Sequence, residues 1–177
     1  QKPTKKSGRA TNHESAQRIS SKVHKIDKKL ISNAAIKTTE GLQKAGFEAF
    51  IVGGAVRDLL LKKQPKDFDV ATNATPEQVN RIFRRSRIIG RRFRLVHVMF
   101  GDETIEVSTF RGSHDTDSEH GKTADTGRIL RDNVFGDQVE DALRRDFTAN
   151  ALYYDPSTQE VLDFHQGVAD IQAGILK

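Results

Sequence analysis

Phe47-Glu48-Ala49-Phe50-Ile51-Val52-Gly53-Gly54-Ala55-Val56-Arg57-Asp58-Leu59-Leu60 is the stretch on which the fold turns. Its apolar run predicts a buried strand over residues 47–52, the glycine pair a tight turn, and Ala55 to Lys63 a helix opening directly after it. Backbone N–H groups left free at such a turn and helix start carry partial positive charge and suit a phosphate. A few residues on, Asp67-Phe68-Asp69 opens a second strand-like segment, Asp67 to Ala71. Two carboxylates separated by one strand residue point to the same side of a sheet. Beside a phosphate cradle, such a pair predicts a divalent metal.

A third carboxylate extends the pattern. From Thr104 to Phe110, Ile105 and Val107 alternate with Thr104, Glu106 and Ser108, which reads as a strand with Glu106 on its polar face. If that strand neighbours the Asp67/Asp69 strand, three oxygen donors meet. Such a set suits two Mg²⁺ ions, one polarising an attacking hydroxyl and the other bridging a triphosphate and stabilising the leaving pyrophosphate. In-line nucleotidyl transfer is the chemistry that follows. Each part has a plainer alternative: Asp-x-Asp as a turn or solvated edge, Gly-Gly as a turn alone, Glu106 as a solvated strand residue. The order strand, Gly-Gly, helix, Asp-x-Asp strand, carboxylate strand is far more specific than its parts.

These residues also carry a family resemblance. Val52 to Leu60, Lys66-Asp67-Phe68-Asp69-Val70, Glu106-Val107-Ser108-Thr109-Phe110-Arg111 and Arg144-Arg145-Asp146-Phe147-Thr148 resemble the head domain of class II tRNA nucleotidyltransferases and bacterial poly(A) polymerases, within the polymerase β superfamily. The likeness runs from about Ile31 to the end of the chain. Pro65 to Glu77 and Gly90 to Val98 are similar to the poly(A) polymerase branch, whereas CCA-adding relatives usually show a Phe-Gly-Thr-like stretch where this chain has Phe93-Arg94-Leu95. The resemblance implies that Asp67, Asp69 and Glu106 are the metal carboxylates and that Gly53, Gly54 and Arg57 contact the triphosphate. It further implies that Arg145 and Asp146 contact the ribose of the incoming nucleotide and select for its 2′-hydroxyl. Asp163 and Asp170, flanking Gly167, resemble the motif joining head to neck; a turn residue and a helix cap are the alternative. Ala149 stands where the family commonly has a larger aliphatic residue.

With 177 residues and 36% hydrophobic content, one core and a single compact domain with a tail are expected. The absence of cysteine excludes disulfides and cysteine-ligated zinc and is compatible with a cytoplasmic protein. No apolar run approaches membrane-spanning length. The first residue is Gln1 and the last ones read as a helix or helix exit, so a fragment is expected, with the family's neck and body domains beyond it. Residues 1–32 hold nine Lys or Arg against Glu14 and Asp27, a net +7 that leaves −2 for the rest. Residues 1–30 therefore read as a basic, disordered tail, either RNA-seeking or simply solubilising, and residues 31–177 as the head.

Within that slightly acidic head, Arg81, Arg84, Arg85, Arg87, Arg91, Arg92 and Arg94 form a run of cations without an acidic residue between them. Pro76 to Arg84 reads as a short helix with Thr75 as N-cap, Pro76 at N1 and Gln78 at N3. Arg81, Arg84 and Arg85 would share one helix side, either gripping RNA phosphates or merely solvated. Arg91, Arg92 and Arg94 are expected nearer the triphosphate or primer. Asn33 to Ala45 reads as a helix ending at Gly46; Leu95–Phe100 with Glu103–Phe110, and Leu152–Asp155 with Glu160–Phe164, read as hairpins. Residues 112–136 read as a mobile polar loop, in which His114 and His120 among acidic residues are better taken as solvated than as a metal site. Glu140 to Asn150 reads as a helix.

The fold that holds all this is α+β, a mixed sheet with helices mainly on one face. The function expected is a poly(A) polymerase head adding AMP from ATP to RNA 3′ ends with two Mg²⁺ ions. A CCA-adding enzyme is the rival, and a non-catalytic RNA-binding module on the same fold is the alternative from another class. Base choice is expected to be read by the neck, and oligomeric state is left open.

Overall fold

A computed structural model describes residues 16–112, 137–144 and 151–164, together with Val168 and Ile171. Its centre is an eight-stranded mixed sheet. In chain order the elements are β1 (Gln17–Ile19), α1 (Ser21–His24), a 3₁₀ turn (Lys28–Leu30), α2 (Asn33–Lys44), β2 (Ala49–Val52), α3 (Gly54–Leu60) and β3 (Asp69–Thr72). They continue with α4 (Pro76–Ile82), β4 (Ser86–Ile89), β5 (Leu95–Phe100), β6 (Glu103–Thr109), α5 (Gln138–Arg144), β7 (Leu152–Asp155) and β8 (Glu160–Asp163). Strand order is β1-β8-β7-β2-β3-β6-β5-β4. Every pairing is antiparallel except β3 with β6, which is parallel.

Alternation along the strands splits the core in two. Ala49, Ile51, Val70, Ile105, Val107 and Tyr154 face α2, α3 and α4, whose Ala35, Leu42, Val56, Leu59 and Val79 complete that cluster. Phe50, Val52, Ala71, Tyr153 and Leu162 face the other way, where Ala142 of α5 packs. Helices therefore lie mainly on one face, in the expected α+β arrangement. β2 is buried at all four positions because both its faces are covered, which is why its sequence reads as an unbroken apolar run. No helix among the described residues is long and apolar enough to cross a membrane.

Local signals place the helix starts well. Ser32 Oγ accepts the Ala35 N–H at 3.2 Å to open α2, and Thr75 with Gln78 forms a complete capping box at α4. Helix ends are another matter. α4 stops at Ile82 because Phe83 turns to extended geometry and lays its ring against Gly41, where a Cβ would sit 2.9 Å from it. Arg84 and Arg85 are consequently not on the Arg81 helix face, contrary to the expected i, i+3, i+4 grouping. They lie in the turn before β4, a strand that the sequence reading did not anticipate. α3 likewise ends at Leu60 rather than Lys63, and β3 begins at Asp69 rather than Asp67.

The domain also begins earlier than expected. Residues 16–30 fall within the expected tail, yet β1 adds to the sheet edge with Gln17, Arg18 and Ile19 opposite Asp163, Leu162 and Val161. Ile19, His24 and Ile26 are buried. His24 Nε2 lies 2.6 Å from the Gln159 carbonyl, and its Nδ1 accepts the Ile26 N–H at 3.0 Å. Composition hid this because a few buried side chains suffice to dock a segment whose lysines stay in solvent. The first fifteen residues, the loop over 113–136 with His114 and His120, and Ala149, Gly167 and Asp170 lie outside the described residues.

Candidate active site

Gly53 ends β2 with φ +74° and ψ −147°, a backbone region essentially restricted to glycine. A Cβ built there would lie 3.7 Å from Asp69 Oδ2, so the turn and the first strand carboxylate are immediate neighbours. The antiparallel pairing of β2 with β3 is the cause, since it sets Val52 opposite Asp69 at the point where the chain turns away into α3. From the second residue of the pair, Gly54, α3 carries Arg57 back over the turn: a Cβ on Gly54 would be 3.4 Å from the Arg57 guanidinium. Arg57 Nε is 3.7 Å from Asp58 Oδ1 and stays 42% exposed. Such a surface pair is worth about 0.2–1 kcal/mol, too little to hold Arg57 against a bound anion.

Glu106 reaches the site through the parallel β3–β6 pairing, which places it directly opposite Asp69. Both are half-buried on one sheet face. The register continues across all eight strands as one row: Arg87, His97, Glu106, Asp69, Val52, Tyr153, Leu162, Arg18. Asp69 and Glu106 are thus flanked by cationic or polar His97 and Arg87 on one side and by apolar residues on the other. Neither His97 nor Arg87 was recognised in the sequence as part of the site. The signal was present in the alternation of Leu95–Phe100, but only the strand order turns it into proximity.

Asp67 is placed differently. It precedes β3, is exposed, and lines a cavity of about 500 Å³ with Lys66, Asp102, Glu103 and Thr104. Among the described residues no three His, Asp or Glu side chains are drawn together tightly enough to form a metal centre. The donors available, Asp69 and Glu106 with Asp67 nearby, are all hard oxygens. That chemistry fits Mg²⁺, which is usually held by one or two carboxylates plus substrate phosphates rather than by an all-protein cage. Arg145 and Asp146 lie outside the described residues. The helix leading toward them is anchored: buried Asp141 of α5 accepts the Tyr153 hydroxyl at 2.6 Å and the Arg111 N–H at 3.1 Å. Asp163 is buried too, and its carboxylate accepts the Val168 N–H at 3.0 Å. Arg94, expected near the triphosphate or primer, is ion-paired with Glu77 of α4.

Residues 49–177 match the poly(A) polymerase head domain family. The chain belongs to that family. It is 54% identical over 157 residues to poly(A) polymerase I of Salmonella typhimurium, covering 87% of this chain and 34% of that protein. Against poly(A) polymerase I of Haemophilus influenzae the figures are 55% over 149 residues, 82% and 33%. A CCA-adding enzyme of Staphylococcus aureus is 35% identical over 152 residues, covering 86% of this chain and 36% of its own length. Among solved structures, the Bacillus stearothermophilus CCA-adding enzyme in complex with CTP superposes with a TM-score of 0.67 at 32% identity, over 81% of this chain and 32% of that one. This head-domain chain spans about a third of the length of the curated relatives it matches.

Proposed function

We propose that the chain is the catalytic head of a cytoplasmic poly(A) polymerase, transferring AMP from ATP to an RNA 3′ end without a template and releasing pyrophosphate. The observation that carries this reading is the Asp69–Glu106 pair set directly against the Gly53 turn. Asp69 and Glu106, with Asp67 as the third donor, would hold Mg²⁺. When bound, the metal supplies polarisation of the attacking hydroxyl and neutralises charge on the phosphates. Gly53 and Gly54 leave phosphate oxygens room to approach the backbone N–H groups at the start of α3. Arg57, loosely held by Asp58, is free to swing its charge onto the triphosphate. Arg145 and Asp146 are the proposed ribose contacts.

The branch within the family rests on the difference between 54% identity to poly(A) polymerase I and 35% to a CCA-adding enzyme. The test is to incubate the full-length protein with a generic RNA and each nucleoside triphosphate separately, then size the products. A long extension made from ATP alone supports the reading. A short, self-limiting addition from CTP, completed by a single A when CTP and ATP are supplied together, assigns the CCA-adding activity instead, and no incorporation from any triphosphate returns the chain to a non-catalytic RNA-binding module.

A further inference from the structure

The cations of residues 81–94 separate into two groups once folded. Arg94 is ion-paired with Glu77, and Arg92 packs toward the Phe93 ring, its guanidinium carbon 5.8 Å from the ring centre. Arg81, Arg84, Arg85 and Arg87 are exposed, and among the described residues none of them has an ion-pair partner. Lys37 of α2 is exposed and unpaired in the same way. Lys37, Arg84 and Arg85 ring a cavity of about 530 Å³ whose apolar floor includes Phe83, Met99 and Phe100. Among the described residues no acidic one lines it. The Phe83 and Phe100 rings meet edge to face, 6.5 Å apart.

This cavity lies at the β4–β5 edge on the helix-covered face, and the carboxylates lie on the opposite face of the same sheet, with edge strand β4 bordering both. The Met99 N–H donates to the Arg85 carbonyl at 2.8 Å, which extends the β4–β5 ladder one rung beyond Ser86–Val98. Arg85 therefore stands two rungs along from Arg87 on the same side, opposite Met99, and Met99 is opposite Thr104 on the strand that bears Glu106. Two strand spacings, about 10 Å, separate Arg87 from Glu106. Unpaired cations along an edge strand and an apolar, aromatic recess behind it match the physical needs of a flexible polyanion with stacking bases. A duplex would not reach into the recess.

We propose that Lys37, Arg84, Arg85 and Arg87 form a track for single-stranded RNA. Upstream phosphates lie on Lys37 and Arg84, a base enters the recess against Phe83 and Phe100, the strand turns over the β4 edge at Arg85, and Arg87 on the other face takes the phosphate nearest the 3′ end as it passes His97 toward Glu106. This rests on the RNA 3′ end being the acceptor.

The test compares extension of two oligoadenylate primers by the full-length protein, one of about 3 and one of about 12 nucleotides, the longer able to span the track. The triple variant Lys37→Gln/Arg84→Gln/Arg85→Gln is expected to raise KM for the longer primer about 10-fold or more. Its loss is confined to that primer, with KM for ATP within about twofold of wild type, and the salt slope of RNA binding falls by about 2, as three lost single-strand phosphate contacts require. Arg84→Lys/Arg85→Lys keeps the charges and is expected to retain most of the longer-primer advantage. Arg87→Gln raises KM for both primers. An unchanged KM and salt slope in the triple variant overturns the track; so does an equal loss on short primer, long primer and ATP. Self-association of the triple variant with normal RNA use also overturns it, because the arginines would then only guard the edge strand against pairing. Failure of the wild-type protein to extend any RNA overturns the functional reading instead, so the two failures are distinguishable.

Discussion

The two halves of one cross-strand row behave oppositely. Toward β4 it carries Arg87, His97, Glu106 and Asp69, all at least partly open to solvent; toward β1 it carries Val52, Tyr153 and Leu162, buried beneath α5. Backbone geometry is the same in both. What differs, among the described residues, is coverage: α5 docks over Val52, Tyr153 and Leu162 through Asp141, whereas the half toward β4, like Arg18 at the β1 edge, keeps its charged groups hydrated. The comparison teaches that the site is less a special loop than the half of a sheet face that no helix among the described residues covers.

The largest expected effect breaks the open half. Asp67→Ala/Asp69→Ala in the full-length protein should reduce nucleotide addition by several kcal/mol of transition-state stabilisation, roughly 10³-fold or more, while the melting curve changes little. Near-normal turnover in that double variant would remove the carboxylates from catalysis.

Next comes the covered half, where the sign of the trade reverses. Tyr153→Phe takes a donor from buried Asp141 and should cost about 1–3 kcal/mol in urea unfolding. Activity should then fall mainly through loosening of α5, visible as a raised KM for ATP. A variant as stable as wild type would mean that Asp141 does not depend on this bond.

Gly53→Ala tests the join between halves. The residue's left-handed backbone makes any side chain there strained, about 1–3 kcal/mol, and the new Cβ would press toward Asp69. Both stability and turnover are expected to fall together. Loss of one without the other would separate turn geometry from carboxylate placement.

The smallest effect sharpens the comparison between neighbouring tyrosines. Tyr154 points to the opposite face from Tyr153, is fully buried, and its hydroxyl makes no hydrogen bond among the described residues. Tyr154→Phe is therefore expected to cost nothing or to stabilise by up to about 1 kcal/mol. Burial, aided by the nearby Asp155 charge, pushes the Tyr154 phenol up to about 12. Its folded value lies above the ordinary 10.0, so this contribution to stability is intact below pH 10 and is lost as pH rises from 10 toward 12. Alkaline unfolding followed beside a spectrophotometric tyrosine titration should show a shallower pH dependence in Tyr154→Phe; identical curves would contradict the assignment.

Much of this architecture was legible in the chain alone, because the signals concerned are local. The Gly53-Gly54 turn, the Thr75 capping box and both hairpins depend on residues a few positions apart, and chain connectivity enforces such contacts whatever the fold. The alternation around Glu106 likewise named the face that would carry it. Three things were decided only by tertiary structure. The parallel β3–β6 pairing, with no local turn to specify it, set Glu106 opposite Asp69 and brought His97 and Arg87 into their row. Packing of Phe83 on Gly41 ended α4 early and moved Arg84 and Arg85 off the helix. Docking of β1 on β8 drew residues 16–30 out of the expected tail. In each case contacts between residues distant in sequence outweighed a local preference worth about 1 kcal/mol or less per residue, and no window of neighbouring residues contains the partner that decides it.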